Sequence, residues 1–175
     1  MHIIERPQHQ DRDETETPHN GIGFRSWQGR EDSIAFRQLN EEWIEKLFIL
    51  ETKDRETLEK PEENILAKGG RIFFADSRGV AVACVALIPI GENAFELAKM
   101  AVSPTLRGLG IGRRLLEHAI QQARAIGAER LYLASSSRLR NAVHLYESVG
   151  FQHIPPEKRP ATEYARSDVF MDMVL

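Results

Sequence analysis

The chain has 175 residues, 42% hydrophobic and 28% charged, with a formal net charge of −3, the profile of one globular domain with a sizeable core. Lysines and arginines are interspersed with acids rather than gathered into a stripe, which argues against a nucleic-acid partner. No apolar run approaches the ~18 residues of a membrane span, and the one cysteine, Cys84, sits in the apolar run Val80 to Ile88, where it reads as a small buried hydrophobe. One cysteine makes no internal disulfide, which suits a reducing cytoplasm.

Residues 1–20 hold Pro7, Pro18, Asn20 and a stretch rich in His, Gln, Asp, Glu and Thr. They read as a flexible polar tail, unlike a secretory or transit peptide, ahead of a single domain over 21–175. A short strand is expected at Ile22 to Trp27. Asp32 and Ser33 offer a cap for a helix from Ile34 to about Leu50. Its Phe36, Leu39, Trp43, Leu47 and Leu50 recur close to a 3.6 period. Glu51 to Glu59 is charged and reads as carrying a turn. Pro61 opens a second helix to about Ala67, which Gly69-Gly70 ends.

Three strands follow: Arg71 to Asp76, Val80 to Leu87 and Phe95 to Val102. Ser77-Arg78-Gly79 joins the first two as a hairpin turn. In the third, Phe95 and Leu97 share one face by alternation, and Met100 and Val102 share the other. Either a β-bulge switches the phase, or the strand is buried on both sides. A helix from about Gly110 to Ile126 carries the stripe Ile111, Leu115, Leu116, Ala119, Ile120 and Ala123, with Gly127 at its end. Arg130 to Ala134 is a strand, Leu139 to Ser148 a helix ending at Gly150, and Phe151–Ile154 and Asp168–Val174 two closing strands. Between the closing strands runs a long polar loop from Pro155-Pro156 to about Arg166. The order is β, α, α, βββ, α, β, α, ββ, an α/β (α+β) fold with a mixed central sheet covered by helices.

The most informative motif is Arg107-Gly108-Leu109-Gly110-Ile111-Gly112, between a strand and a helix. Alternating glycines let the backbone turn sharply and bring amides to a helix N-terminus, a ready anion site. A P-loop is excluded because no Lys-Ser/Thr follows. A dinucleotide fingerprint is disfavoured by the Gly-x-Gly-x-Gly spacing and by the next strand ending Ala134-Ser135-Ser136 without an acid. The third pattern is Arg/Gln-x-x-Gly-x-Gly/Ala, met by Arg107, Gly110 and Gly112.

With that pattern the sequence resembles the Gcn5-related N-acetyltransferases, the GNAT family. The strand Glu96-Leu97-Ala98-Lys99-Met100-Ala101-Val102-Ser103-Pro104 looks like the family's fourth. Downstream, Ala142-Val143-His144-Leu145-Tyr146-Glu147-Ser148-Val149-Gly150-Phe151 is similar to the family's Ala-x-x-Leu-Tyr-x-x-x-Gly-Phe. The likeness is strong over about residues 94–154; before that only the element order agrees.

The resemblance implies the GNAT fold, whose fourth and fifth strands splay apart, and acetyl-CoA as cosubstrate without a metal. The loop amides from about Leu109 to Arg113, with Arg107, Gly108, Gly110, Ile111 and Gly112, would hold the pyrophosphate. Arg113 and Arg114 either add charge or form a solvated first turn. The backbone of Met100, Ala101 and Val102 would bond the pantetheine arm and the thioester carbonyl. Tyr146 matches the tyrosine that protonates the leaving thiolate in many members; its plain alternative is an aromatic packed with a buried hydroxyl partner. Glu96 is a candidate base, its alternative a solvent-facing residue of an edge strand.

One departure stands out. Members often carry an asparagine where this chain has Leu139; Asn141 lies two positions on, so Ser135, Ser136 or Ser137 is left to serve the pantetheine arm. Trp43, Phe48 and Glu51 fall where the family's first helices cover the acceptor. Tyr164 and Arg166 lie in the loop before the last strand, where an arginine fits an acceptor carboxylate or is simply solvated. His118 and His144 read as exposed helix faces without ligand spacing. The expected function is an acetyl-CoA-dependent N-acetyltransferase acting on a small-molecule amine, amino-acid-like or peptide acceptors included. No nucleic acid or membrane partner is expected, and a homodimer is left open. The rival is a non-catalytic acyl-CoA-binding sensor.

Overall fold

A computed structural model describes residues 21–175; the expected N-terminal tail lies outside the described residues. The elements run β1 Ile22–Ser26, α1 Arg30–Leu47, α2 Thr52–Glu59, α3 Pro61–Asn64, β2 Arg71–Ser77, β3 Val80–Gly91 and β4 Ala94–Val102. They continue with α4 Ile111–Ala125, β5 Arg130–Ser135, α5 Arg140–Val149, β6 Gln152–His153 and β7 Val169–Val174. The expected order holds with one addition, the helix α2.

The seven strands form one sheet in the order β1-β2-β3-β4-β5-β7-β6. All neighbours are antiparallel except β4 and β5. One face packs on α4 and α5 through Leu115, Leu116, Ala119, Ala123, Leu145 and Val149, against Phe73, Val85, Leu97 and Leu131. The other face packs on α1 and α2 through Phe36, Ile44 and Leu58, against Ile72, Phe74, Cys84 and Ala101. The β2–β3 hairpin turns on Arg78 (φ 50°) and Gly79 (φ 80°), the paired positive φ of a type I′ turn.

Four expectations need correction. α1 begins at Arg30, four residues before Ile34, with Gly29 as its N-cap, and it stops at Leu47 rather than near Leu50. Asp32 is not the cap: it is buried in the first turn, where it accepts from the Gln28 amide at 2.6 Å and pairs bidentately with Arg25. The stretch Glu51 to Glu59 is a helix rather than a turn, opened by a capping box in which the Glu51 and Asp54 side chains each accept the other's backbone amide. His118 is also not an exposed residue. It stacks on Phe24 and stands edge-on to Phe73, both at 5.4 Å between centroids, and burial pulls its pKa down.

Candidate functional site

β4 carries the bulge that its sequence suggested. Cys84 pairs with Ala101 and Ala86 with Ala98, so Lys99 and Met100 together face the single residue Val85. Lys99 takes φ 54° there. This extra residue returns Met100 and Val102 to the face of Phe95 and Leu97, toward α4. Lys99 is buried and its side chain runs to α2 on the opposite face.

Beyond the bulge the sheet opens. β4 and β5 pair only at Ala94–Arg130, Phe95–Leu131 and Glu96–Tyr132. From Leu97 onward β4 has no partner on that side, while β5 stays paired to β7 as far as Ser135. The gap is a cavity of about 870 Å³ lined by residues 96–102 of β4, the loop residues Arg107, Gly108 and Gly110, and Ser135, Asn141 and Tyr146. The unpaired edge of β4 offers N–H and C=O groups to any extended ligand lying in the gap.

The glycine loop closes one end. Gly108 and Gly110 both take φ 79°, and a Cβ on either would meet nothing within 4 Å. Backbone handedness rather than crowding demands glycine here. No side chain caps α4, and its first intrahelical bond runs from the Arg114 amide to the Gly110 carbonyl. The amides of Ile111, Gly112 and Arg113 therefore precede the helical ladder, at the positive end of the helix. This cradle fits a pyrophosphate. Arg107 lines the same cavity, and its guanidinium donates to the Val102 carbonyl at 3.1 Å and to Glu42 of α1 at 2.6 Å. Arg113 is held by Glu117 and Ser148. The Leu109 side chain is exposed, and the Ile111 side chain belongs to the core.

Tyr146 and Glu96 both line the cavity. Tyr146 sits edge-on to Phe151 at 6.0 Å, and burial pushes its hydroxyl pKa up to about 12. Among the described residues that hydroxyl has no hydrogen-bond partner. Glu96 is half-buried, and burial raises its carboxyl pKa against the opposing charge of Lys99. Of the serines considered for the pantetheine arm, Ser137 is engaged by Asp168 at 2.6 Å. Ser135, Ser136, Leu139 and Asn141 line the cavity.

On the far side from α4 stands a charged wall that joins Glu51, Tyr164 and Arg166 to two residues the sequence did not single out, Asp54 and Lys99. Asp54 of α2 is fully buried. It receives both terminal nitrogens of Arg166 at 2.7 Å and the Lys99 ammonium at 2.6 Å. Burial alone would raise its pKa, but the Arg166 hydrogen bonds and the Lys99 charge hold it at about 2. Glu51 accepts from Arg166 at 3.1 Å and from the Ala165 amide at 2.9 Å. Tyr164 lies 3.0 Å from the Lys99 nitrogen. Arg166 is thus neither solvated nor a vacant carboxylate receptor; two acids already occupy it. Trp43 and Phe48 meet edge to face at 6.3 Å beside that guanidinium.

The comparisons with known proteins agree with this geometry. The family model described as "Acetyltransferase (GNAT) family" matches residues 33–151. An uncharacterized N-acetyltransferase of Escherichia coli, YjgM, is 44% identical over 59 residues, 34% of this chain and 35% of that one. An amino-acid acetyltransferase of Pseudomonas aeruginosa is 33% identical over 119 residues, 67% of this chain but only 25% of that protein. The match thus spans about a third or less of these curated relatives. Among solved structures, a GNAT-family acetyltransferase of Staphylococcus aureus superposes with a TM-score of 0.78 at 22% identity, covering 87% of this chain and 98% of that one. A GNAT acetyltransferase of Elizabethkingia anophelis, solved with acetyl-CoA bound, gives 0.64 at 17% identity over 89% and 99%. With its splayed β4 and β5, its amide-lined loop and a family match over residues 33–151, the chain belongs to the GNAT family of acetyltransferases.

Proposed function

We propose that the protein transfers an acetyl group from acetyl-CoA directly to the amine of a small-molecule acceptor. One observation carries this reading: a single cavity runs from the uncapped amides of α4, along the unpaired edge of β4, to Glu96 and Tyr146. Bound acetyl-CoA supplies an acyl group activated as a thioester. The amides of Ile111, Gly112 and Arg113 would hold its pyrophosphate, and the backbone of Met100, Ala101 and Val102 its pantetheine arm and carbonyl.

An ammonium group is not nucleophilic, so Glu96 takes its proton, directly or through a water. The amine nitrogen then bonds to the carbonyl carbon as the carbon–sulfur bond breaks. Tyr146 gives its proton to the departing sulfur, and the second proton that the nitrogen sheds as the amide forms restores the phenol. Its raised pKa keeps it protonated at neutral pH. The relatives named amino-acid acetyltransferases support an amino-acid-like acceptor, and the single buried thiol suits a reducing compartment such as the cytoplasm.

The test is incubation with acetyl-CoA and a broad panel of amines while free thiol is followed. Acceptor-dependent thiol release is expected. Stabilisation by CoA without release from any amine would turn the protein into a binding module, and no stabilisation by any acyl-CoA would overturn both readings.

A further inference from the structure

Six cationic side chains line the cavity: Lys99, Arg107, Arg113, Arg138, Arg140 and Arg166. Four of them are held by acids, Lys99 and Arg166 by Asp54, Arg107 by Glu42 and Arg113 by Glu117. Arg138 is different. Among the described residues its guanidinium makes no ion pair and no hydrogen bond; it lies 4.7 Å above the Phe48 ring. That ring belongs to the segment joining α1 to α2 and also lies 5.8 Å from the Arg166 guanidinium. Arg138 therefore reaches from the β5–α5 loop across the open cleft to the charged wall. Arg140, at the start of α5, makes no such contact.

The aromatic surface orients the guanidinium while leaving its planar set of donors free, the arrangement that suits a bidentate carboxylate. The same cavity holds Glu96, whose carboxylate makes no ion pair among the described residues. An unpaired anion and a ring-held unpaired cation in a single cleft, with Arg140 as a second cation unpaired among the described residues at its α5 end, are complementary to a zwitterion.

We propose that Arg138 binds a carboxylate of the acceptor, which makes the substrate a small molecule carrying both an amine and a carboxylate. The ammonium goes to Glu96 and the carboxylate to Arg138, leaving Arg166 to hold the wall behind them. This rests on the acetyltransferase reading above and narrows its acceptor.

The experiment pairs each of the common L-amino acids with its own carboxamide, which replaces only the anionic oxygen, and measures acetyl-CoA-dependent thiol release. The amide's amine is less basic and loses its proton more readily, so a preference for the acid runs against intrinsic reactivity. The wild-type protein is expected to turn over at least one acid with kcat/KM about 10- to 100-fold above its amide, the range of a charged hydrogen bond. Arg138→Gln collapses that ratio toward one by raising KM for the acid, with the dissociation constant for CoA unchanged. Equal or better turnover of the amides overturns the proposal. So does a ratio unaffected by Arg138→Gln, or a loss of CoA affinity in the variant, which would assign the arginine to the cosubstrate. Turnover of other amines with every amino acid inert overturns the acceptor class alone; thiol release from no amine at all fails the acetyltransferase reading itself.

Discussion

Tyr146 and Glu96 face one cavity, and burial favours the protonated form of both, but their proposed roles need opposite states. The tyrosine, raised to about 12, stays a donor across the physiological range, whereas the glutamate must be ionised to accept. Because burial raises the Glu96 carboxyl, kcat/KM should climb with pH through a midpoint above that of an ordinary carboxylate. Glu96→Gln should lower kcat by about 100-fold, the scale of general-base catalysis, and remove that limb from the pH–rate profile. Tyr146→Phe should lower kcat by about 10- to 100-fold with CoA affinity within about twofold. Since its hydroxyl bonds nothing in the described protein, the melting temperature should hardly move. An unchanged kcat would remove the tyrosine as the acid. Both residues could be picked out from their places in two short motifs, and the structure sets both on the cavity. Arg138 was not, because its interest lies in what it fails to pair with, and pairing is a property of the fold.

At the scale of elements, the bulge and the helix α2 belong together. Lys99 occupies a left-handed backbone position without being glycine, and its ammonium is anchored on Asp54. Removing that acid leaves two cations facing each other in a buried site, so Asp54→Asn should cost about 3–5 kcal/mol, measurable by urea unfolding. The pH dependence has a definite sign. A carboxyl depressed to about 2 in the folded state adds stability above its unfolded value near 4, and that stability drains away as pH falls toward 2. In Asp54→Asn this acid-labile component should vanish. The phase change of Phe95, Leu97, Met100 and Val102 fits a bulge or a strand buried on both faces alike, and only the pairing with β3 decides for the bulge. α2 was unreadable by periodicity: its apolar content is too low for a periodic stripe. What holds it is a capping box led by glutamate, an unusual cap residue, and a buried aspartate whose cations come from β4 and from the loop before β7.

For the whole molecule, a ligand lying along β4 and on the α4 amides would touch both arms of the opened sheet. CoA at a hundred times its dissociation constant should add about 2.7 kcal/mol, a rise of roughly 5–10 °C in melting temperature for a domain this size. Gly110→Asp, which forces a side chain onto φ 79° and sets a carboxylate against the phosphate, should abolish most of that rise. The splay followed from the family likeness; periodicity gave the strands without their neighbours, because neighbour choice is a long-range contact, and the order within the sheet came only with the structure. Arg107 adds a link between the two halves, joining the Val102 carbonyl to Glu42 on α1.

Cys84 has a practical bearing on all of these measurements. It is fully buried, bonded by Asn40, and raised to about 12, so the folded chain presents no thiolate of its own to a colorimetric disulfide reagent. In an assay run on native protein, every equivalent of chromophore released therefore counts one CoA. The same reagent added to protein alone should report how often the molecule opens, turning the chain's one sulfhydryl into a clock for unfolding.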